Sequence, residues 1–460
     1  MRRRKADLSR RVNRELRVEF SESGLTSYAG LELLIRYFRR IDLNGLIRHH
    51  LAGLAGDFGA TAMVRVVLGL LIVGGRRLRH VTYLAGDPLV HRFCGLARLP
   101  GRVTLSRWLH QFTGAWVGRL GALNAAIVAR TLRMLTSLRS LTVDLDGTVL
   151  STGLTVERAF RGFNPHHRRV PSYYPITAYV AETGHLLRVK NRSGNINDGK
   201  ASITFLRELF AQITDTLGRT FRLRFRMDGD FFKETVLRLL LARGAGFAIK
   251  VPFWRWLDLQ QRIRERRTWQ RVAHDVEGFE VRLLLTPWRL EMRVAIYRKR
   301  VRHCTAKNFQ LDLFDPDDGY YEYSAVASNL DLSLGRLWHF MCGRGAHEKA
   351  IGELKSGLAF ATIPTRHYGA NSAWQQLVAL AHNLITNFQI EAGAPRRARS
   401  AKRTALHVLK SIHTLRFELF HRAGRLVRPD GATVLRMARN EPTRQLFLRM
   451  AEALGGVRAA

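Results

Sequence analysis

The stretch LTVDLDGTVL, residues 141–150, decides how this chain folds. It is rich in β-branched residues and bounded by Gly147, so it reads as a strand, and Asp144 and Asp146, two residues apart, share one of its faces. Upstream the texture is helical: Leu31, Leu34, Ile35, Phe38 and Ile41 recur at helix spacing, and a second run covers Thr61 to Val73. A third begins near Thr104, whose hydroxyl is expected to cap LSRWLHQF. Downstream, YPITAYVAETGHLLRV reads as a hairpin turning at Glu182, Thr183 and Gly184. Ser202 to Leu217 then reads as a helix, Phe221 to Met227 as a strand stopping at Asp228, Lys233 to Ala242 as a helix and Phe247 to Val251 as a strand. The alternation predicts a mixed α/β core built around a sheet.

Residues 253–325 interrupt that core with Trp254, Arg255 and Trp256, a basic stretch from Arg262 to Arg271, and alternating segments such as FEVRLLLTPWRLEMRVAIYRKRV. They predict a β-rich insertion. The core resumes as a helix from Gly345 to Leu358, and a further helix carries Ala373, Leu377, Leu380 and Leu384. The expected organisation is a mostly helical N-terminal region over 1–135, a first core part over 136–252, the insertion over 253–325, a second core part over 326–392, and a basic C-terminal region over 393–460. No internal repeat is present.

Lysine and arginine number 75 against 37 acids, a formal charge of +38, and the isoelectric point is near 11.4. Such an excess favours a polyanionic partner, nucleic acid first, and the helical region over 1–135 is the expected DNA-binding region. No apolar run approaches the roughly 18 residues of a membrane span, Val66 to Gly75 being the longest. The basic start, MRRRKADLSRR, lacks the apolar segment of a secretory signal, so a cytoplasmic protein is expected. Cys94, Cys304 and Cys342 have neither zinc spacing nor an even count and read as small buried hydrophobes.

The chemistry-bearing residues are acids at strand ends and a stripe on a helix. Asp146 and Asp228 each stand where an apolar strand stops and a glycine follows, the place where a sheet exposes side chains while holding them rigidly. Each is also an ordinary turn residue when taken alone. Arg344, Glu348 and Lys355 fall within roughly 40° of one another on a helix. Converging carboxylates repel unless cations compensate them. Asp146, Asp228 and Glu348 suit two oxygen-liganded ions, magnesium or manganese, about 3.5 to 4 Å apart for phosphodiester attack. Arg344 would grip a phosphate with parallel hydrogen bonds and Lys355 would act as a point charge. The alternative is an exposed helix with an Arg–Glu pair worth only about 0.2–0.5 kcal/mol.

The spacing Arg344-x3-Glu348-x6-Lys355, preceded by Asp146-Gly-Thr and Asp228-Gly-Asp-Phe, resembles the DDE transposases of bacterial insertion sequences. The group in question carries a Tyr-x2-Arg-x3-Glu-x6-Lys signature and a β-rich insertion before its glutamate. RGFNPHHRRVPSYYPITAYVAETGHLLRVKNRSGN, HEKAIGELKSGLAF and NSAWQQLVALAHNL extend the resemblance over most of residues 20–440. It implies a ribonuclease H-like core, magnesium dependence with manganese as a substitute, double-stranded DNA at terminal inverted repeats and in the target, and a homodimeric synaptic complex. It also implies hydrolysis followed by strand transfer without a covalent protein intermediate. Asp146, Asp228 and Glu348 match the metal-binding acids; Arg344 and Lys355 match the basic members. Met341 replaces the signature tyrosine and removes a phenolic hydroxyl. Related enzymes pass through a DNA hairpin with a flipped base, for which Trp254, Trp256, Trp288, Tyr320 and Tyr321 are candidate stacking partners or ordinary core aromatics. A nuclease or resolvase on the same core, and a non-catalytic DNA-binding derivative, are the competing functions.

Asp144 is an auxiliary ligand candidate, with Asp230 and Glu353 behind it. His347 points about 100° away from Glu348 on the helix and is structural or phosphate-adjacent. Arg107 with its neighbours either enters a DNA groove or faces solvent. The basic runs at 2–17, 262–271 and 396–403 are either phosphate contacts or solvated charge.

Overall fold

The computed structural model describes residue 16 and residues 18–162, 169–196, 198–217, 221–301, 321–398, 400 and 402–455. Cys304, Tyr320 and nearly all of the N-terminal basic run lie outside the described residues.

A two-residue strand, β1 (Leu25–Thr26), leads into helices α1 (Leu31–Arg40), α2 (Leu43–His50), α3 (Gly59–Ile72), α4 (Pro88–Cys94), α5 (Arg102–His110) and α6 (Gly114–Met134). In α1 the predicted apolar set is buried, Glu32 sits in the first turn, and Arg39 and Arg40 sit in the last, matching the helix dipole at both ends. Helix α5 corrects one expectation: it starts at Arg102 behind Gly101, so Thr104 lies inside the helix and does not cap it.

The core follows as β2 (Ser140–Gly147), β3 (Leu150–Ser151), β4 (Ser172–Tyr173), β5 (Ile176–Val180), β6 (His185–Lys190), α7 (Asp198–Leu217), β7 (Arg222–Met227), α8 (Glu234–Ala242) and β8 (Gly246–Lys250). The hairpin forms as read, with Val180 opposite His185 and Gly184 taking the positive φ its turn requires. Next come α9 (Leu259–Glu265), β9 (Gln270–Ala273), β10 (Val276–Leu285), β11 (Leu290–Arg300) and β12 (Tyr321–Ser328). The chain ends with α10 (Leu334–Cys342), α11 (Gly345–Gly357), α12 (Tyr368–Glu391), α13 (Ile412–Leu415), β13 (Gly424–Val427), β14 (Val434–Met437) and α14 (Glu441–Ala453).

One mixed sheet of nine strands runs β6-β5-β2-β7-β8-β12-β11-β10-β9. Strands β6, β5 and β2 are antiparallel, and β7 and β8 continue parallel to β2. That is the strand order of a ribonuclease H-like core. The strands of the 253–325 stretch extend this sheet, because β12 pairs antiparallel with β8. Leu141, Val143 and Leu145 of β2, with Ile176, Ala178 and Val180 of β5, pack against α6, α7 and α8 on one face. Tyr179, Leu186 and Val189 meet α11 and α12 on the other. Helix α12 also seals the sheet's outer edge: Asn383 accepts from the Leu186 amide at 2.8 Å and donates to its carbonyl at 2.8 Å. An edge strand is thereby prevented from pairing with another chain. A small sheet ordered β1-β13-β14 joins Leu25–Thr26 to the strands at Gly424–Val427 and Val434–Met437.

Candidate active site

The site grows from the polar face shared by β2 and β7. These strands are parallel neighbours with Asp144 opposite Arg226, so every second residue of each faces α10 and α11. Three tiers result. At the inner end the buried Glu182 carboxylate accepts the Thr142 amide at 2.9 Å with both oxygens, and Arg224 donates to the Thr142 hydroxyl at 2.9 Å. In the middle Arg226 clasps Asp144, Nε to Oδ1 at 2.5 Å and Nη2 to Oδ2 at 2.7 Å, and its Nη1 donates to the Phe340 carbonyl at 2.8 Å. Both side chains of this pair are fully buried. At the outer end the next residues along each strand, Asp146 and Asp228, are both acidic.

Arg344 supplies the cation for that outer tier. It stands at the start of α11 in helical conformation, and its guanidinium reaches Asp146 Oδ2 at 3.3 Å with Nη1. Its Nη2 reaches Asp228 Oδ2 at 3.1 Å and Glu348 Oε1 at 2.9 Å. Asp228 does double duty, as its Oδ1 accepts the Gly229 amide at 2.6 Å and caps the turn that follows β7, which aims Oδ2 at Arg344. Lys250, at the end of β8, lies 3.9 Å from Asp228. Lys355 donates to the Val149 carbonyl at 3.1 Å; burial pulls its ammonium below the usual lysine range, while Asp146 nearby works the other way. The structure therefore brings all five predicted residues to one place, and Glu348 remains 58% exposed there, open to a substrate.

Two buried contacts fix α11 against the sheet. His347 Nε2 meets the Thr177 hydroxyl at 2.8 Å, and that hydroxyl donates to the Asp146 carbonyl at 3.3 Å. The ring stacks on Tyr179, and burial pushes its imidazole down to about 3, so it stays neutral. On the other side, a Cβ on Gly343 would fall 2.0 Å from Arg226 Nη1, so only glycine fits beside the clasped guanidinium. Arg344 is the next residue.

The other sequence candidates separate from this cluster. Asp144 does not serve as an auxiliary ligand: burial raises its carboxyl and the Arg226 clasp opposes that, consuming both oxygens. Glu353 accepts the Ile412 amide at 2.6 Å and so binds the start of α13. Asp230 is exposed in the turn after β7. Met341, on α10, is buried in a cluster with Ala248, Val326 and Leu337, so the side chain there is a packing group. Trp254, Trp256 and Trp288 do come together, with ring centroids 5.4 to 6.2 Å apart, around Phe232 just beyond Asp228; Trp256 is the outermost at 39% exposed. Tyr321 lies elsewhere, over Arg298. Sequence reading missed Arg226, Thr177, Gly343 and Lys250. The signal for the first was present in RLRFRM, where arginines at every second position of a central strand demand buried partners.

Among the described residues no group of three or more His, Cys, Asp or Glu side chains is placed to hold one metal ion, and no helix is long and apolar enough to cross a membrane. Among solved structures the chain is similar to a piggyBac transposase synaptic complex with hairpin DNA, at 10% identity over 94% of this chain and 84% of that one, with a TM-score of 0.43. No curated protein matches it. The family model described as transposase DDE domain group 1 matches residues 8–459, nearly the whole length, and the chain belongs to that family.

Proposed function

We propose that this transposase cuts and joins DNA at the ends of an insertion sequence through Asp146, Asp228 and Glu348. The observation that carries the reading is the meeting of these three carboxylates, from two strand ends and one helix, on the single guanidinium of Arg344. A structural ion pair needs one acid, whereas three acids gathered at a solvent-open strand end suit the handling of additional positive charge.

The donor set fits a hard divalent cation, since all three side chains offer oxygen and neither cysteine nor histidine joins them. Asp146, Asp228 and Glu348 would hold magnesium, or manganese in its place, with the Arg344 contacts giving way. Ions bound there would supply Lewis-acid chemistry at the phosphodiester. The chain's own residues do the rest. Arg344, released from the acids, grips non-bridging phosphate oxygens in a forked geometry, and Lys355 holds a positive charge beside the strand being cut. The buried His347 and Arg226 contacts keep α11 in register with β2. Trp256 offers the exposed ring face on which an unstacked base would rest. Terminal inverted repeats and target DNA are the partners, and a homodimer is the assembly that brings two ends together.

Glu348→Gln tests this. Binding to end-containing duplex should persist while divalent-ion-dependent cleavage disappears; undiminished cleavage would overturn the assignment. A strand-transfer assay with pre-nicked ends separates the transposase from a plain nuclease, which yields no joined product.

A further inference from the structure

The N-terminal helices contain a buried cation that no carboxylate among the described residues neutralises. Arg65, in the second turn of α3, is 9% exposed, yet among the described residues it has no carboxylate partner. Among the described residues its one hydrogen bond runs from Nη1 to the Asn44 side-chain oxygen at a long 3.3 Å, its Nε has no partner, and its guanidinium lies over the Phe93 ring at 5.6 Å. Burying a charge without a counter-ion is costly, and protein interiors avoid it. The neighbouring thiol cannot serve, because burial pushes Cys94 up to about 12 and leaves it neutral.

Arg65 lines a cleft of about 590 Å³ between α2, α3 and α4 whose walls include Asn44, Arg48 and Thr61 and contain no acidic residue. Gly59, Ala60, Thr61 and Ala62 also line it, so the first turn of α3, a 14-residue helix, opens onto the cleft, and Phe58 before it gives that turn no side-chain cap. A helix N-terminus carries partial positive charge and outward amides. Three sources of positive potential thus face one acid-free cavity: the uncapped turn, the buried Arg65 and the exposed Arg48 at the rim.

We infer that this cleft is a phosphate-binding site, filled by a backbone phosphate of DNA held on the N-terminal helices. The DNA source rests on the transposase reading; the anion site does not. Full-length protein tests it in two arms. Thermal unfolding is followed in sodium phosphate and in sodium chloride at matched ionic strength, and affinity for a labelled duplex is measured across a potassium chloride series. Arg65→Met, which keeps the aliphatic stem over Phe93, should fold as well as wild type in chloride and lose the extra phosphate stabilisation. It should also bind DNA about 5- to 10-fold more weakly near 0.1 M salt, with a log–log salt slope shallower by about 0.9. Loss of the phosphate response with an unchanged slope would make the occupant a free phosphate-bearing molecule in the same site. A lower midpoint in chloride with unaltered phosphate and DNA responses would make Arg65 a packing residue and overturn the proposal. If Arg65→Met does not fold, Arg48→Gln on the exposed rim decides by the same two responses. A wild type that responds to phosphate but binds no DNA would sink the transposase reading and leave the site standing.

Discussion

The middle and outer tiers of the β2–β7 face differ by one residue type and by everything that follows from it. In the middle tier Asp144 faces Arg226, one charge against one, and water is excluded from both. In the outer tier, two residues further along the same strands, acid faces acid, and the cation that meets both comes from across the gap on α11. A self-neutralised tier can be sealed and spends its charge on structure. An unbalanced one has to stay near solvent and keeps a claim on outside cations.

The sharpest way to break this comparison is to remove one charge from each tier in turn. Asp144→Asn leaves the Arg226 guanidinium buried without its counter-charge, and should cost about 3–5 kcal/mol of folding stability by urea unfolding. Asp146→Asn, one step outward, should leave stability within about 0.5 kcal/mol and lower end cleavage about 100- to 1000-fold. If Asp146→Asn unfolds the protein, or Asp144→Asn spares its stability while abolishing cleavage, the division between structural and chemical tiers is wrong.

Gly343→Ala sharpens the link between the tiers without touching any acid. The added methyl collides with Nη1 of the Arg226 guanidinium, a group that three hydrogen bonds hold in place, so either the clasp or the α10–α11 turn must shift. Overpacking of this kind costs about 1–3 kcal/mol. Because Arg344 follows directly, cleavage should fall more than duplex binding does; equal losses in both would mean that the turn only supports the fold.

Much of this was legible in the sequence, for stated reasons. The strands around LTVDLDGTVL, the 182–184 hairpin and the helices from Lys233 and Gly345 announce themselves because local periodicity and glycine punctuation set them. The outer tier was legible because Asp146, Asp228, Glu348 and Arg344 sit at strand ends and on one helix face, positions that short-range rules define. What sequence did not disclose depends on contacts between residues distant along the chain. Nothing near Asp144 says that Arg226 will clasp it, and the register of two parallel strands joined through a hairpin and a long helix decides that. His347 was a polar neighbour of Glu348 until Thr177, on β5, turned it into a buried link to Asp146. The role proposed for Arg65 is hidden for the complementary reason: the lack of a partner among the described residues cannot be read from a string of residues.

The smallest effect concerns the hairpin beyond the inner tier, where His185 is fully buried between the Thr183 hydroxyl at 2.8 Å and the Asn387 side-chain oxygen at 2.6 Å. Burial pulls its imidazole down to about 3 from an ordinary value near 6.5. As pH falls below 6.5 the unfolded chain takes up a proton that the folded chain refuses, so stability present above 6.5 is progressively lost down to about 3. One such group accounts for about 1.4 kcal/mol at pH 5.5. His185→Asn, which does not titrate, should therefore lose less stability than wild type between pH 7.5 and 5.5 by that amount, whatever it costs at neutral pH. An unchanged difference would mean that the ring accepts its proton inside the fold, and the hairpin end would then be as open to charge as the outer tier.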